Sequence, residues 1–244
     1  MNTNRAPLGI ECMLILAYCM RLFKDRPFIL HMGISHEFDR NLEQLILRES
    51  FTQEEKEALI NDGAVIFELQ EETISSQIEA QKAKSKPLFG YMVDAGEMLT
   101  AKPSRRIQVA VYPDPDKFFV PNSFDKSVTK QEERVAQDAQ DLRQRLNLSQ
   151  VTEIIPGEAA TLTEIVFKHW DATDELLFGK KYATAQGLDL VYGRTKNPTN
   201  SSGSDVALVG DADPARGLDV DGWARDGGNH ALWAVRLVVP IENR

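Results

Sequence analysis

The sequence is short of the residues that most often carry chemistry. Its 244 residues include only two cysteines and four histidines. Two cysteines cannot build a disulfide framework, so we expect a reducing, cytoplasmic location. Both, Cys12 and Cys19, stand in an apolar segment, where buried and unreactive thiols are expected. The histidines, at positions 31, 36, 169 and 230, lack the spacing of a zinc site.

Nucleotide-binding, hydrolase and membrane signals are also missing. No Gly-x-Gly-x-x-Gly follows a predicted strand, Gly179-Lys180 lacks the upstream glycine of a P-loop, and no Gly-x-Ser-x-Gly is present. The apolar stretch Cys12–Cys19 is shorter than the roughly 20 residues that span a bilayer. No small-residue cleavage site follows it, so a buried or amphipathic helix is predicted there. We predict no cofactor and no membrane association.

Positive charge is scarce relative to negative charge. The formal net charge is -9 and the isoelectric point is about 5.1. Such an acidic chain is not expected to bind nucleic acid or anionic lipid in a general way. A hydrophobic content of 42% is nevertheless enough to bury a substantial core.

Helical periodicity dominates the chain before residue 180. The predicted helices are His36–Arg48, Phe51–Asn61, Thr73–Lys84, Thr129–Leu146 and Thr161–Trp170. Three of them begin with a Thr-x-x-Glu capping box, at Thr52, Thr129 and Thr161. The predicted strands in this part are Ala64–Leu69, Arg106–Tyr112 and Val151–Ile155, whereas residues 90–103 are predicted to be irregular.

The chain changes character after Gly179, where Gly, Asp and Asn become frequent. Short strands joined by turns are predicted, at Leu188–Tyr192, Val206–Val209, Leu218–Val220 and Leu232–Val239. The last of these is expected to be an interior strand. Arg236 within it needs a buried partner, which we expect to be a carboxylate from the Asp-rich turns. Residues 196–203 are predicted to be a mobile surface loop.

Together these patterns predict an α+β fold. A helix-rich N-terminal part is expected to pack on a mixed or antiparallel sheet that the turn-rich C-terminal strands complete. Residues 1–35 are predicted to be a peripheral helical segment. Residues 36–244 are predicted to be a single domain, α-rich over 36–180 and β-rich over 181–244.

One part of the chain resembles a known family. The spacing of Tyr192-Gly-Arg194-Thr195, Val209-Gly210, Gly217-Leu218-Asp219-Val220, Trp223 and Trp233-Ala-Val-Arg236 is similar to the terminal part of bacterial and phage C-type-lectin-like domains. The resemblance covers residues 188–239 and implies a compact, loop-rich β module suited to ligand or partner binding. The disulfides and the sugar-coordinating calcium motif of such domains are missing, so lectin activity is not implied.

Candidate site residues concentrate in the same turn-rich part. His230 and Asp226 on a turn before a buried strand form a candidate acid–base pair, and His169 is a further, weaker catalytic candidate. Candidate ligand-binding residues are Arg194, Arg225, Trp223 and Asn229. Asp219 and Asp221 are weak candidates for a metal site, because the loop from Asp219 does not satisfy the EF-hand pattern.

Three functions follow from these residues. The leading prediction is a non-catalytic binding or interaction module of bacterial or phage origin, whose partner is an unidentified protein or small molecule. The first alternative is an enzyme with an acid–base site near Asp226 and His230 in a cleft. The second is a single-stranded nucleic-acid binder, suggested by Lys102, Arg105 and Arg106 near the aromatic residues Tyr112, Phe118 and Phe119.

Overall fold

Helices and strands alternate along the described chain until residue 173, a second helix follows directly, and β-hairpins come after it. The structure is a computed structural model and describes residues 46–84 and 89–242. The predicted helical segment at residues 1–35, with both cysteines, lies outside the described residues. The described residues fall within one unit of the chain, residues 45–244.

The described residues form six helices and nine strands. The helices are α1 (Gln53–Asn61), α2 (Ile74–Lys82), α3 (Glu97–Thr100), α4 (Val128–Leu146), α5 (Ala159–Thr173) and α6 (Lys180–Ala185). The strands are β1 (Val65–Glu68), β2 (Phe89–Met92), β3 (Gln108–Val111), β4 (Val151–Glu153), β5 (Tyr192–Pro198), β6 (Asp205–Asp213), β7 (Gly217–Ala224), β8 (Leu232–Trp233) and β9 (Leu237–Pro240). The α+β class predicted from the sequence is therefore confirmed.

The strands are divided between two sheets rather than the single one expected. The first has the order β1-β3-β9-β4, and all its neighbours are antiparallel. The second has the order β2-β7-β6-β5-β8, with antiparallel hairpins at its centre and a parallel pair at each edge. The C-terminal strands complete the second sheet and also insert β9 into the first.

The C-terminal tail links the two sheets. Residues 232–239 are not one strand as predicted, because β8 pairs with β5 in the second sheet and β9 lies between β3 and β4 in the first. Between them, Val235 forms a bridge with Phe119, and Ala234 and Arg236 bond to the backbone of Val120 and Phe118. The prediction of an interior position is confirmed, since Val235 and Leu237 are buried.

Helix α5 is the centre of the main core. Eleven of its fifteen residues are buried, and it contacts β5, β6 and α2. The predicted capping box at Thr161 and Glu164 is wrong, because the helix already begins at Ala159 after Glu158. Both residues lie within the helix, and both are buried. The Glu164 carboxylate accepts hydrogen bonds from the backbone amide of Gln70 and the hydroxyl of Ser104.

The other predicted helix starts have mixed outcomes. The capping box of Thr52 and Glu55 is confirmed, with reciprocal bonds at the start of α1. The one predicted at Thr129 and Glu132 is wrong. Ser127 caps α4 two residues earlier, while Glu132 forms an ion pair with Lys196, 3.1 Å away. Glu132, which the local sequence pattern assigned to a capping box, therefore forms an ion pair with a distant residue instead.

Three further local predictions need correction. Residues 46–48 are not helical, and Leu47 instead forms a bridge with Ile241, so the predicted helix His36–Arg48 does not reach its predicted end. Residues 90–103, predicted to be irregular, contribute most of β2 and all of α3. The strand predicted at Leu188–Tyr192 starts only at Tyr192, and residues 196–198 of the predicted loop belong to β5.

Arg236 finds its carboxylates in a different place from the one expected. Its guanidinium lies 2.7 Å from the Asp138 carboxylate on α4 and 3.5 Å from the Glu153 carboxylate on β4. It also lies over the ring of Tyr112, at 5.6 Å. The pairing requirement was predicted correctly, but the Asp-rich turns do not supply the partner.

Glu153 is the buried carboxyl of this group. Burial raises its pKa well above the ordinary value, and the Asp138 carboxylate raises it further, against the opposing charges of Arg236 and Arg145. A raised pKa in the folded state means that the stabilising contribution is complete at low pH. That contribution is lost as the pH rises through the folded-state pKa.

We therefore predict that Glu153→Gln stabilises the protein increasingly as the pH rises above 4.5, the ordinary pKa of this carboxyl. The amide keeps the side-chain volume and removes the buried charge. Urea unfolding at several pH values should show a free-energy difference from the parent protein that grows with pH. Glu133→Gln, on the exposed face of α4, is the control and should give a constant difference. A constant difference for Glu153→Gln would contradict the prediction.

Candidate functional site

The five-stranded sheet has one buried face and one face that carries a cleft. Alternation along the strands directs Val209 and Val220 into the main core. The opposite face carries Tyr192, Leu208 and Asp221. These residues, with Trp223 and Leu232, line a cleft of about 410 Å³.

Two turns form the walls of the cleft. The first, residues 187–190, follows α6, and its Gly187 has a φ of 70° that favours glycine. The second, residues 229–231, is closed by Asn229, whose side-chain oxygen accepts a bond from the Ala231 amide at 2.9 Å. The exposed side chains of Leu190 and His230 stand on these two turns.

Of the predicted ligand-binding residues, Trp223 and Asn229 line the cleft. The Trp223 indole is 38% exposed, whereas the two other tryptophans are buried. Its position depends on Gly227, since a Cβ atom there would lie 3.0 Å from the indole nitrogen. The structure thus places an accessible aromatic ring against a closely packed turn.

Arg194 and Arg225 do not line the cleft but hold the turn beside it. The Arg194 side chain is fully buried and donates to the carbonyls of Arg225 at 3.3 Å and Gly227 at 2.8 Å. Burial lowers its pKa to about 10, and no carboxylate among the described residues pairs with it. Arg225 donates to the carbonyls of Gly203 and Lys196. Both guanidinium groups therefore fix backbone positions.

The candidate catalytic residues are not brought together. His230 lines the cleft, but Asp226 does not. Within the described chain, no hydrogen bond or ion pair joins the two. The acidic residues that line the cleft with His230 are Asp189 and Asp221. His169 lies elsewhere, buried on α5, where burial lowers its pKa.

The candidate metal ligands belong to an acidic neighbourhood around Tyr192. Burial raises the pKa of Asp219, and the nearby Asp211 carboxylate raises it further. Burial likewise raises the pKa of Tyr192, with added contributions from Asp211, Asp219 and Asp221. No group of three potential metal ligands occurs among the described residues. This neighbourhood supplies negative potential rather than a metal-binding cage.

The nucleic-acid alternative loses its aromatic component. Tyr112, Phe118 and Phe119 are all buried, so they present no ring on which a base can stack. Lys102 and Arg105 are exposed, but basic residues alone do not make a stacking platform.

Sequence reasoning missed the first wall of the cleft and two residues of its floor. Residues 187–190 were assigned largely to a strand, so their turn was not considered. Tyr192 and Leu208 both lie in predicted strands, but the sequence pattern alone did not show which face of the sheet they occupy. Gly210, beside Tyr192, was the available signal, because a glycine inside a strand often marks a close approach.

Comparisons with known proteins do not extend this description. No family model, no curated protein and no solved structure matches the chain. The similarity to C-type-lectin-like domains stays a prediction. Among the described residues, no helix has the length and apolar character required to cross a membrane.

We predict that Gly210→Ala disrupts the floor of the cleft. A Cβ atom at this position would lie 2.2 Å from the Val191 carbonyl oxygen and 2.8 Å from the Tyr192 ring. Strands β5 and β6 must then separate, at a cost of about 1–3 kcal/mol in the free energy of unfolding. Gly157→Ala is the matched control, because nothing lies within 4 Å of its added Cβ. Chemical denaturation of both variants measures the costs, and equal stabilities would refute the close contact.

Proposed function

We propose that the protein is a cytoplasmic, non-catalytic binding module whose cleft beside Trp223 takes a small molecule. The observation that carries this proposal is a cleft of about 410 Å³ in which an accessible indole stands beside polar side chains. Such a volume lies within the range of small-molecule sites, which combine an apolar lining with a few polar groups.

The construction of the walls supports the same function. Arg194 donates to the carbonyls of Arg225 and Gly227, in the segment just before the turn that carries His230. The turn itself is held by a bond from the backbone amide of Asp125 to the Asn229 carbonyl. A turn fixed at several points loses little conformational freedom when a ligand binds, which favours affinity.

His230 in the cleft favours the enzyme alternative as a second candidate. In that case His230 would transfer a proton, with Asp221 rather than Asp226 as the acidic neighbour in the cleft. The two candidates differ in the fate of the ligand. A binding module returns the bound molecule unchanged, whereas an enzyme converts it in a reaction that His230→Gln slows.

We predict that fragments entering the cleft shift the signal of Trp223 alone. The chain has three tryptophans, so 5-fluorotryptophan labelling gives three ¹⁹F resonances. The resonance that disappears in Trp223→Phe is that of Trp223. The resonances of the buried Trp170 and Trp233 should be unaffected. A fragment library screened by ¹⁹F NMR provides the measurement.

Binding, followed for the variants through the resonances of the fragment itself, should be lost in Trp223→Ala and retained in Tyr91→Ala. Tyr91 is the matched control because its ring is exposed on edge strand β2 and does not line the cleft. If no fragment shifts the Trp223 resonance selectively at millimolar concentration, the proposed function is wrong.

A further inference from the structure

The charge of the cleft is of one sign. Two of its twelve lining residues, Asp189 and Asp221, are acids, and no lysine or arginine is among the twelve. In the part of the chain that the structure describes, neither carboxylate takes part in an ion pair. The Asp221 carboxylate uses one oxygen to accept a bond from the Gly222 amide at 2.7 Å. Its second oxygen has no partner among those residues.

Two further acids, Asp211 and Asp219, act on Tyr192 of the cleft and add to this negative charge. Asp219 pairs with Gly210 on the floor of the sheet, and its carboxylate, with that of Asp211, acts on the Tyr192 side chain. Arg216 forms an ion pair with Asp211, 3.3 Å away, which offsets part of that charge, and Arg216 also acts on Asp219. Asp221 and Asp219 remain without a basic partner of this kind. An anionic ligand would therefore meet repulsion at the floor of the cleft.

Aromatic and aliphatic groups make up most of the remaining lining, beside the polar residues Asn229 and His230. The rings of Tyr192 and Trp223 border the cleft, together with Leu188, Leu190 and Leu208. Aromatic faces attract cations, and the attraction grows where the cation is partly desolvated. A carboxylate beside such rings is a combination that suits an ammonium group attached to an apolar body.

We infer that the cleft binds a small organic ammonium ion with an apolar body, its cationic group directed to Asp221 and its apolar part to Tyr192 and Trp223. This inference rests on the proposed binding function. The cleft volume of about 410 Å³ favours a free small molecule over a large partner surface. Charge complementarity distinguishes this ligand class from neutral or acidic molecules of the same size.

Three probes that differ mainly in charge test the inference. They are 2-phenylethylamine, 2-phenylethanol and 3-phenylpropionate, titrated into the full chain at pH 7 and followed through the Trp223 ¹⁹F resonance. We expect the amine to bind about tenfold more tightly than the alcohol, the ratio of a single charge-assisted bond worth about 1.4 kcal/mol. The carboxylate should give no saturable shift.

Variants then locate the charge. Asp221→Asn should lower the affinity for the amine to about that for the alcohol, with the alcohol affinity unchanged. Asp189→Asn, at an exposed position that lines the cleft, should lower the amine affinity by a smaller factor. Asp141→Asn, an exposed position on α4, changes the net charge equally and should leave all three affinities unchanged.

The outcomes separate this inference from the proposed function. Equal or tighter binding of the alcohol or the carboxylate overturns the ammonium inference and leaves a binding cleft. Failure of all three probes, while other fragments shift Trp223, overturns it in the same way. Tighter binding of blocked lysine than of phenylethylamine would assign the site to a protein side chain and overturn the small-molecule inference. Failure of every fragment removes the proposed function itself.

Discussion

The five-stranded sheet has to satisfy two environments, and the rest of the molecule follows from that constraint. One face packs on helix α5 in the main core and carries apolar residues such as Ala207, Val209 and Val220. The other face carries Tyr192, Asp221 and Trp223 and borders the cleft. Because side chains alternate along a strand, a shift of one residue in register would bury the polar set and expose the apolar set.

Two arginine side chains hold the structure together, one beside each sheet. Arg194 bonds to carbonyls of the turn beside the cleft. Arg236 instead pairs with Asp138 and Glu153 near the first sheet. The first guanidinium keeps its charge up to a pH of about 10, so its bonds are insensitive to physiological pH. The group around Arg236 contains Glu153, a carboxyl with a raised pKa. The surroundings of Arg194 and of Arg236 therefore respond differently to pH.

Local patterns predicted the elements whose causes are local. The capping box at Thr52, the strand before Leu69 and the long helix ending at Leu146 depend on near neighbours, and each was found. Errors arose where a distant residue decided the outcome. Glu132 pairs with Lys196, and Arg236 with residues of α4 and β4. The tail contains one continuous apolar run, yet its pairing partners divide it between two sheets. Trp223, Asn229 and His230 of the turn-rich part line the cleft, but the separation of Asp226 from it depends on side-chain directions that spacing does not encode.

The position of β9 has a consequence for how the chain reaches its native state. Residues 237–240 lie between β3 and β4, although they are synthesised long after both. The edge of β3 and the whole of β4 therefore lack their neighbour until residues 237–240 emerge from the ribosome. Contacts between residues so far apart in sequence form slowly, and strand edges exposed meanwhile favour aggregation. The nascent chain is thus expected to need protection of these edges until β9 is available.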